Sequence, residues 1–390
     1  MKRRRFCRYL TLGSAGFAGV IARDSFAMIS ESSQPKSHHR WVVLYWMPYD
    51  NNLVRFGEPI IAMLAKGARN SEAVVVVQSD YFGDPKMRRR ILINGAIREI
   101  EISGEDSSNI LAFSKYLDWA YQTFDAEHWA IIVVGHGGRV NEISPDKHGS
   151  ILQTPTWMRV DHFASEISRF NHATDKRVEL LFFQNCNKAT LEVVYEARNC
   201  ARYTLASQLN LGAPNYYYEG FLRQLNKSSI GGREAAIAIM ESERVDMYHT
   251  LTLVDNRALD NIPAKLSRLM QPLLSKELHT VDLSSLSTIY YLGEQCCDLL
   301  TLFRYLLKNI HQASNAFAEF TEFINSSVIA SYKTGGELYS SRNFNKNKSD
   351  KLCGLSLYLP QTRLAILNYS SLALYQGVDL VSLYGGMLTH

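Results

Sequence analysis

The stretch Ala130–Gly138, AIIVVGHGG, decides the reading of this chain. A run of apolar, mostly β-branched residues stops at a Gly-His-Gly-Gly turn. Such a run reads as a strand covered on both faces, the kind found in the middle of a parallel sheet. The glycines let the backbone turn sharply and approach a ligand closely. His136 is thereby presented at the carboxyl end of a buried strand, where open α/β sheets hold their ligand crevice. Val178–Cys186, VELLFFQNC, repeats the form with a cysteine at the tip. If the two strands are neighbours, a histidine and a cysteine address one crevice.

Outward from this pair, strands and helices alternate. Trp41–Met47 reads as the first buried strand, ending at Pro48 in the polar turn that holds Asp50. Ala73–Ser79 is a second. Arg88–Ile93 and Ala96–Ile102 flank Asn94-Gly95, a strong hairpin signal, and suit the edge of the sheet. Ser107-Ser108-Asn109 can cap a helix over about 110–124. Asn141–Thr156 reads as an exposed polar loop. A helix near 161–170, strand 178–183, helix 190–199, short strand 203–207, helix 232–243 and strand 248–254 complete the pattern. The expectation is an α/β protein with a mostly parallel sheet sandwiched by helices. Residues 258–330 read as mainly helical, and Gly354–Pro360 as a late strand. The expected organisation is an export signal at 1–27, a linker at 28–40, a catalytic domain at 41–257 and a C-terminal helical region at 258–390.

The formal net charge of +4 across 390 residues is concentrated in Lys2, Arg3, Arg4, Arg5 and Arg8. The remainder is near neutral, which gives no case for nucleic acid binding. The basic start, the short apolar run to Ala22 and the small residues near Ala27 read as an export signal of twin-arginine type. No other stretch is long and apolar enough to span a membrane. The expected location is therefore periplasmic or extracellular. Of six cysteines, Cys7 lies in the signal. The other five show no metal spacing and no disulfide framework, and Cys200, Cys296, Cys297 and Cys353 read as small buried hydrophobes. The histidines are scattered without ligand spacing, so no structural metal is expected. A monomer acting on protein or peptide substrates is expected.

A thiolate is a nucleophile, and an adjacent imidazole can take its proton or protonate a leaving amine. Acyl transfer also needs donors for the developing oxyanion. The backbone N–H groups of Gly137 and Cys186 are the candidates, since Gly137 has no side chain to obstruct a carbonyl. Asp50, at another strand tip, is placed either to orient His136 or line the pocket, or simply to cap its turn.

In order and spacing, several segments resemble the clostripain family of cysteine peptidases, in the caspase–gingipain–legumain clan. They are WVVLYWMPYDNNL, IIVVGHGG, LLFFQNCNKATLEVVYE, Ala206-Ser207-Gln208, YHTLTLVDN, YYLGEQCCDLL and GLSLYLP. The resemblance implies a caspase–haemoglobinase fold, with His136 as catalytic histidine and Cys186 as nucleophile. It also implies pocket-lining roles for Gln184, Ser207 and Gln208, with a loop hydrogen-bonding role for the last two as the alternative. Some members need calcium, and some cleave themselves after a basic residue in the loop following the histidine, where Lys147 and Arg159 lie here. The chain departs from the pattern around the cysteine. Gln184 stands where the family has an aspartate that favours Arg or Lys before the cleaved bond. Asn185 replaces an alanine, and Asn187-Lys188 an apolar pair. Caspases carry a glutamine at that place together with arginines, which the sequence does not locate. Glu219 is the only acid near the aromatic loop Tyr216–Tyr218. The departures leave a second expectation open: the same fold acting as a peptide-binding module with little or no catalysis.

Overall fold

The computed structural model describes residues 36–104, 106–148, 152, 154–274, 286–336 and 352–388. The proposed signal and the first part of the linker lie outside these residues. Lys36 onward forms one compact unit. The first strand begins at Ser37, four residues ahead of the expected Trp41.

Nine strands form the main sheet. In chain order they are β1 (Ser37–Tyr49), β2 (Val74–Tyr81), β3 (Met87–Ile93), β4 (Ala96–Ile102) and β5 (Phe124–Val134), followed after a small hairpin by more. That hairpin pairs β6 (Glu142–Asp146) with β7 (Thr156–Arg159). Then come β8 (Val178–Gln184), β9 (Tyr203–Ser207) and β10 (His249–Asp255). A second small sheet uses β11 (Thr288–Tyr291) and β12 (Glu294–Asp298). β13 (Ile329–Gly335) returns to the main sheet, and β14 (Ser356–Tyr358) joins the second. The main sheet runs β13-β10-β9-β8-β5-β1-β2-β3-β4. From β9 to β2 all neighbours are parallel; both edges are antiparallel.

Alternation along the buried strands divides the core. Val42, Leu44, Trp46, Ile131, Val133, Leu181 and Phe183 face helices Ile110–Thr123 and Val160–Ala173 and the C-terminal helices. Trp41, Val43, Tyr45, Ala130, Ile132, Val134, Leu180 and Phe182 face helices Gly57–Ala68, Tyr218–Gln224 and Gly232–Ser242. A sheet covered on both faces needs apolar residues at every position, which is why these strands read as continuous runs.

The hairpin expected at the edge is present. Asn94 and Gly95 both have positive φ, the conformation of a two-residue turn matched to strand twist. Two of the three arginines of β3 are buried. Arg89 is buried, donating to Gln78 over the Trp119 ring, and Arg90 is buried between Glu58 and Glu99. The polar stretch 141–156 is not a wholly exposed loop either: Ile143, Ser144 and Asp146 in β6 are fully buried, and Ser144 accepts the Trp46 indole N–H. The C-terminal region is mainly helical, yet it supplies β13 to the main sheet and the β11–β12 hairpin to the second.

Candidate active site

Chain order decides where the crevice opens. From β1 the chain steps to β2 on one side and later returns to β5 on the other. Connections therefore leave the carboxyl ends of β1 and β5 in opposite directions, and the loops part there. The tips of β1, β5 and β8 meet at this point: Tyr49–Arg55, Gly135–Gly138 and Gln184–Cys186.

The two tips foreseen from sequence are stitched together. β5 and β8 pair in parallel up to Val134 beside Gln184. The Gly135 N–H donates to the Gln184 carbonyl at 3.3 Å, and the Asn185 amide donates to the Gly135 and His136 carbonyls at 2.8 and 3.3 Å. Asn185, a departure from the family pattern, thus fastens the histidine turn. Gly137 lies directly on the Cys186 backbone, leaving no room for a Cβ. Gly138 has φ +64, so the turn leaves through a left-handed residue.

His136 and Cys186 line one cleft of about 220 Å³. The imidazole Nε2 is 2.8 Å from the Asn52 Oδ1, which holds the ring against the β1 tip. Burial, and then the nearby Lys147 ammonium, push the imidazole pKa below its ordinary value. The Cys186 Sγ receives the Leu211 N–H at 3.4 Å and lies 3.7 Å from the Leu211 carbonyl. Burial raises the thiol pKa; contacts with Leu211 and Tyr291 and the charge of Lys188 oppose that rise. Tyr291, at the end of β11, brings its hydroxyl beside both the thiol and the Gly137 backbone.

Lys188 is wholly buried two residues past the cysteine. Its ammonium donates to the Arg139 and Val140 carbonyls at 2.6 and 3.2 Å. Glu142 and Glu294 accept the Arg139 and Val140 amides at 2.8 and 2.9 Å. The chain just beyond the histidine turn is therefore held by charged groups from β6, the cysteine segment and β12. Desolvation brings the Lys188 pKa down to about 7.

Gln184 floors the cleft and is saturated. Its Nε2 donates to Asn215 and Tyr218 at 2.8 Å each, and its Oε1 accepts the Tyr217 hydroxyl at 2.6 Å. Tyr217 and Tyr218 are packed beneath it, while Glu219 is on the surface in an ion pair with Lys66. The acid near the floor is instead Glu243. It is buried and accepts the Tyr216 N–H, and burial raises its carboxyl pKa. Sequence order gave no sign of it, since it ends a helix far from the aromatic loop.

Three sequence candidates are not among the residues that line the cleft. Asp50 is buried at the β1 tip and accepts the Lys147 N–H at 2.8 Å. Ser207 is buried 3.1 Å from the Thr250 hydroxyl, and Gln208 is buried with its amide on Asp298 and Leu355. Gln208 thereby joins the end of β9 to the second sheet. Arg55 was not singled out from the sequence. It lines the cleft, in a 3₁₀ turn between β1 and the first helix. Asn51 sets that turn by accepting the Leu53 N–H and donating to the Pro48 carbonyl. A lone arginine just past a strand tip was the available signal.

Among the described residues, the donor set that comes nearest a metal site is Asp106, Asp146 and His148. Calcium wants six to eight oxygens. Here one donor is an imidazole, and the carboxylates already accept the Ser107, Ser108 and His148 amides. These residues do not fit calcium.

The sequence profile of the clostripain family matches residues 45–377. The chain belongs to the clostripain family of cysteine peptidases. Solved structures agree on the fold. A secreted C11 cysteine protease from Bacteroides thetaiotaomicron, bound to an irreversible peptide inhibitor, superposes with TM-score 0.68 at 17% identity, covering 88% of this chain and 99% of that one. An inactive zymogen C11 protease from Parabacteroides distasonis gives 0.68 at 20% identity, with coverage of 88% and 99%. No curated protein sequence matches the chain. Among the described residues of this clostripain-family chain, no helix is long and apolar enough to cross a membrane.

Proposed function

We propose that this cysteine peptidase cleaves internal peptide bonds with Cys186 as nucleophile and His136 as the proton carrier. The Cys186 sulfur attacks the scissile carbonyl carbon while its proton passes to the imidazole. The carbonyl oxygen becomes an oxyanion held by the backbone N–H groups of Gly137 and Cys186. The imidazolium then protonates the departing amine, and water hydrolyses the thioester.

The observation that carries this reading is the packing of Gly137 onto the Cys186 backbone, with His136 and Cys186 lining the same cleft. In the ligand-free arrangement His136 bonds Asn52 and the thiol faces Leu211 and Tyr291. Catalysis on this reading requires substrate to draw the ring off Asn52, a tightening common when active sites fill. The Tyr291 hydroxyl gives way to the carbonyl oxygen beside Gly137. We further propose export through the basic N-terminal segment, and action on protein or peptide substrates as a monomer.

The test is cleavage of a mixed peptide library by the mature protein, with iodoacetamide labelling followed by mass spectrometry. Labelling at Cys186 should abolish cleavage, and Cys186→Ala should be inert. Full cleavage by Cys186→Ala would overturn the reading.

A further inference from the structure

We propose that Arg55 is a specificity-determining residue and that the cleft accepts a carboxylate side chain, Asp or Glu, before the cleaved bond. The inference rests on the peptidase reading above and names the substrate class for that site.

The charge census of the cleft carries it. Among the described residues, Arg55 is the one permanently charged side chain in its lining, and no carboxylate ion-pairs with it. Its guanidinium lies 4.7 Å from the Phe56 ring centroid, at the pocket rim. The floor offers nothing anionic: Gln184 is a neutral amide whose Nε2 is already shared between Asn215 and Tyr218. Glu243 lies a layer below, not in the lining. The Tyr216 and Arg244 amides satisfy it, and burial favours its protonated form. Lys147 adds a second cation close enough to depress the His136 pKa. A lysine or arginine side chain entering here would leave water for a site with no counter-charge and a like charge at its rim. A carboxylate meets a planar guanidinium able to take it through two parallel N–H···O bonds. Selection therefore comes both from attraction of one class and repulsion of the other. Arg55 is exposed and sits in a turn fixed by Asn51, so replacing it leaves the core untouched.

The experiment compares peptides identical except for Asp, Glu, Asn, Ala, Lys or Arg before the cleaved bond, with the mature enzyme, Arg55→Ala, Arg55→Lys and Arg55→Glu. The wild type should cleave after Asp or Glu with the highest kcat/KM. Arg55→Ala should lose roughly tenfold on those peptides and little on Asn or Ala, the size of one charge-assisted hydrogen bond. Arg55→Lys should restore part of the loss, and Arg55→Glu should move the preference toward Lys. Equal or better cleavage after Lys or Arg by the wild type, or a loss in Arg55→Ala that is uniform across peptides, overturns the proposal. A second readout needs no turnover: peptide aldehydes ending in Asp or Lys compete with iodoacetamide for Cys186. Stronger protection by the Asp aldehyde, lost in Arg55→Ala, supports Arg55 even if no peptide is cleaved, an outcome that would count against the peptidase reading alone. Equal protection by the Lys aldehyde overturns the proposal.

Discussion

Gly137 rests on Cys186 so closely that a Cβ on the glycine would stand 2.1 Å from the Cys186 carbonyl oxygen. Both partners are backbone, so no side chain can swing aside. Gly137→Ala must push the histidine turn and the cysteine segment apart. Overpacking of this kind costs about 1–3 kcal/mol, and here it also displaces the proposed oxyanion donors. The expected result is a lowered unfolding midpoint in urea and a fall in kcat of at least about a hundredfold, the loss typical of a removed oxyanion donor. An alanine variant with unchanged kcat would show that these amides do not hold the oxyanion.

Burial raises the Cys186 thiol pKa and lowers the His136 imidazole pKa, which favours the neutral form of each in the free protein. Only the thiolate is alkylated at an appreciable rate. The rate of Cys186 modification by iodoacetamide in the ligand-free protein is therefore expected to climb with pH through a midpoint above the ordinary cysteine value of about 8.5. A midpoint below 7 would mean a preformed thiolate–imidazolium pair, contrary to the separate hydrogen bonds of Cys186 and His136. Mass spectrometry of the labelled peptide across pH 6 to 10 reads this directly.

How much of this was legible beforehand follows from what each residue contributes to pattern. His136, Gly137 and Cys186 end continuous apolar runs, and a fully buried parallel strand must produce such runs, so the tips stood out. β13 did not, because Ile329–Gly335 is an edge strand with no fully buried residue and neither a continuous apolar run nor a clean alternation. β6 was masked by Pro145 and Asp146, residues that read as a turn, although its buried polar groups are satisfied by Ser107 and Trp46. Asp50, Ser207 and Gln208 lie near strand tips, as sequence order implied, but position along a strand does not say which way a polar side chain faces. Arg55, Lys188 and Glu243 depend on contacts between segments far apart in the chain, which no local spacing records.

Lys188 supports the histidine turn from below through the Arg139 and Val140 carbonyls. Lys188→Met keeps the stem and removes both bonds, leaving those carbonyls to find other partners. A stability loss of about 1–3 kcal/mol is expected, with a drop in kcat larger than any change in KM. The linkage has a definite sign. The native pKa of about 7 lies below the unfolded lysine value of about 10.4. Between these values the unfolded chain binds more protons, so wild-type stability gains with rising pH relative to the methionine variant. Urea unfolding of both proteins at pH 7 and pH 9.5 should show the gap widening at the higher pH; a constant gap would place the lysine charge in solvent.

Asp80 gives the opposite slope. It is buried at the end of β2 beside Asp146, and both carboxylates accept the Ser107 N–H, at 3.0 and 2.7 Å. Burial first, and then the neighbouring carboxylates of Asp146 and Asp50, raise its pKa well above the ordinary carboxylate range. A carboxyl that stays protonated in the native state contributes its stability fully below the unfolded value of about 3.9 and loses it as the pH climbs through the raised one. Asp80→Asn supplies a permanently neutral group of the same shape. It is expected to change stability little near pH 4 and to raise it near pH 8, where the unfolded chain has released the Asp80 proton that the native state still holds. The measurement is the difference in urea midpoint between variant and wild type at the two pH values. A larger loss of stability in Asp80→Asn at pH 8 than at pH 4 would mean that the ionised form of Asp80 is the one the fold requires.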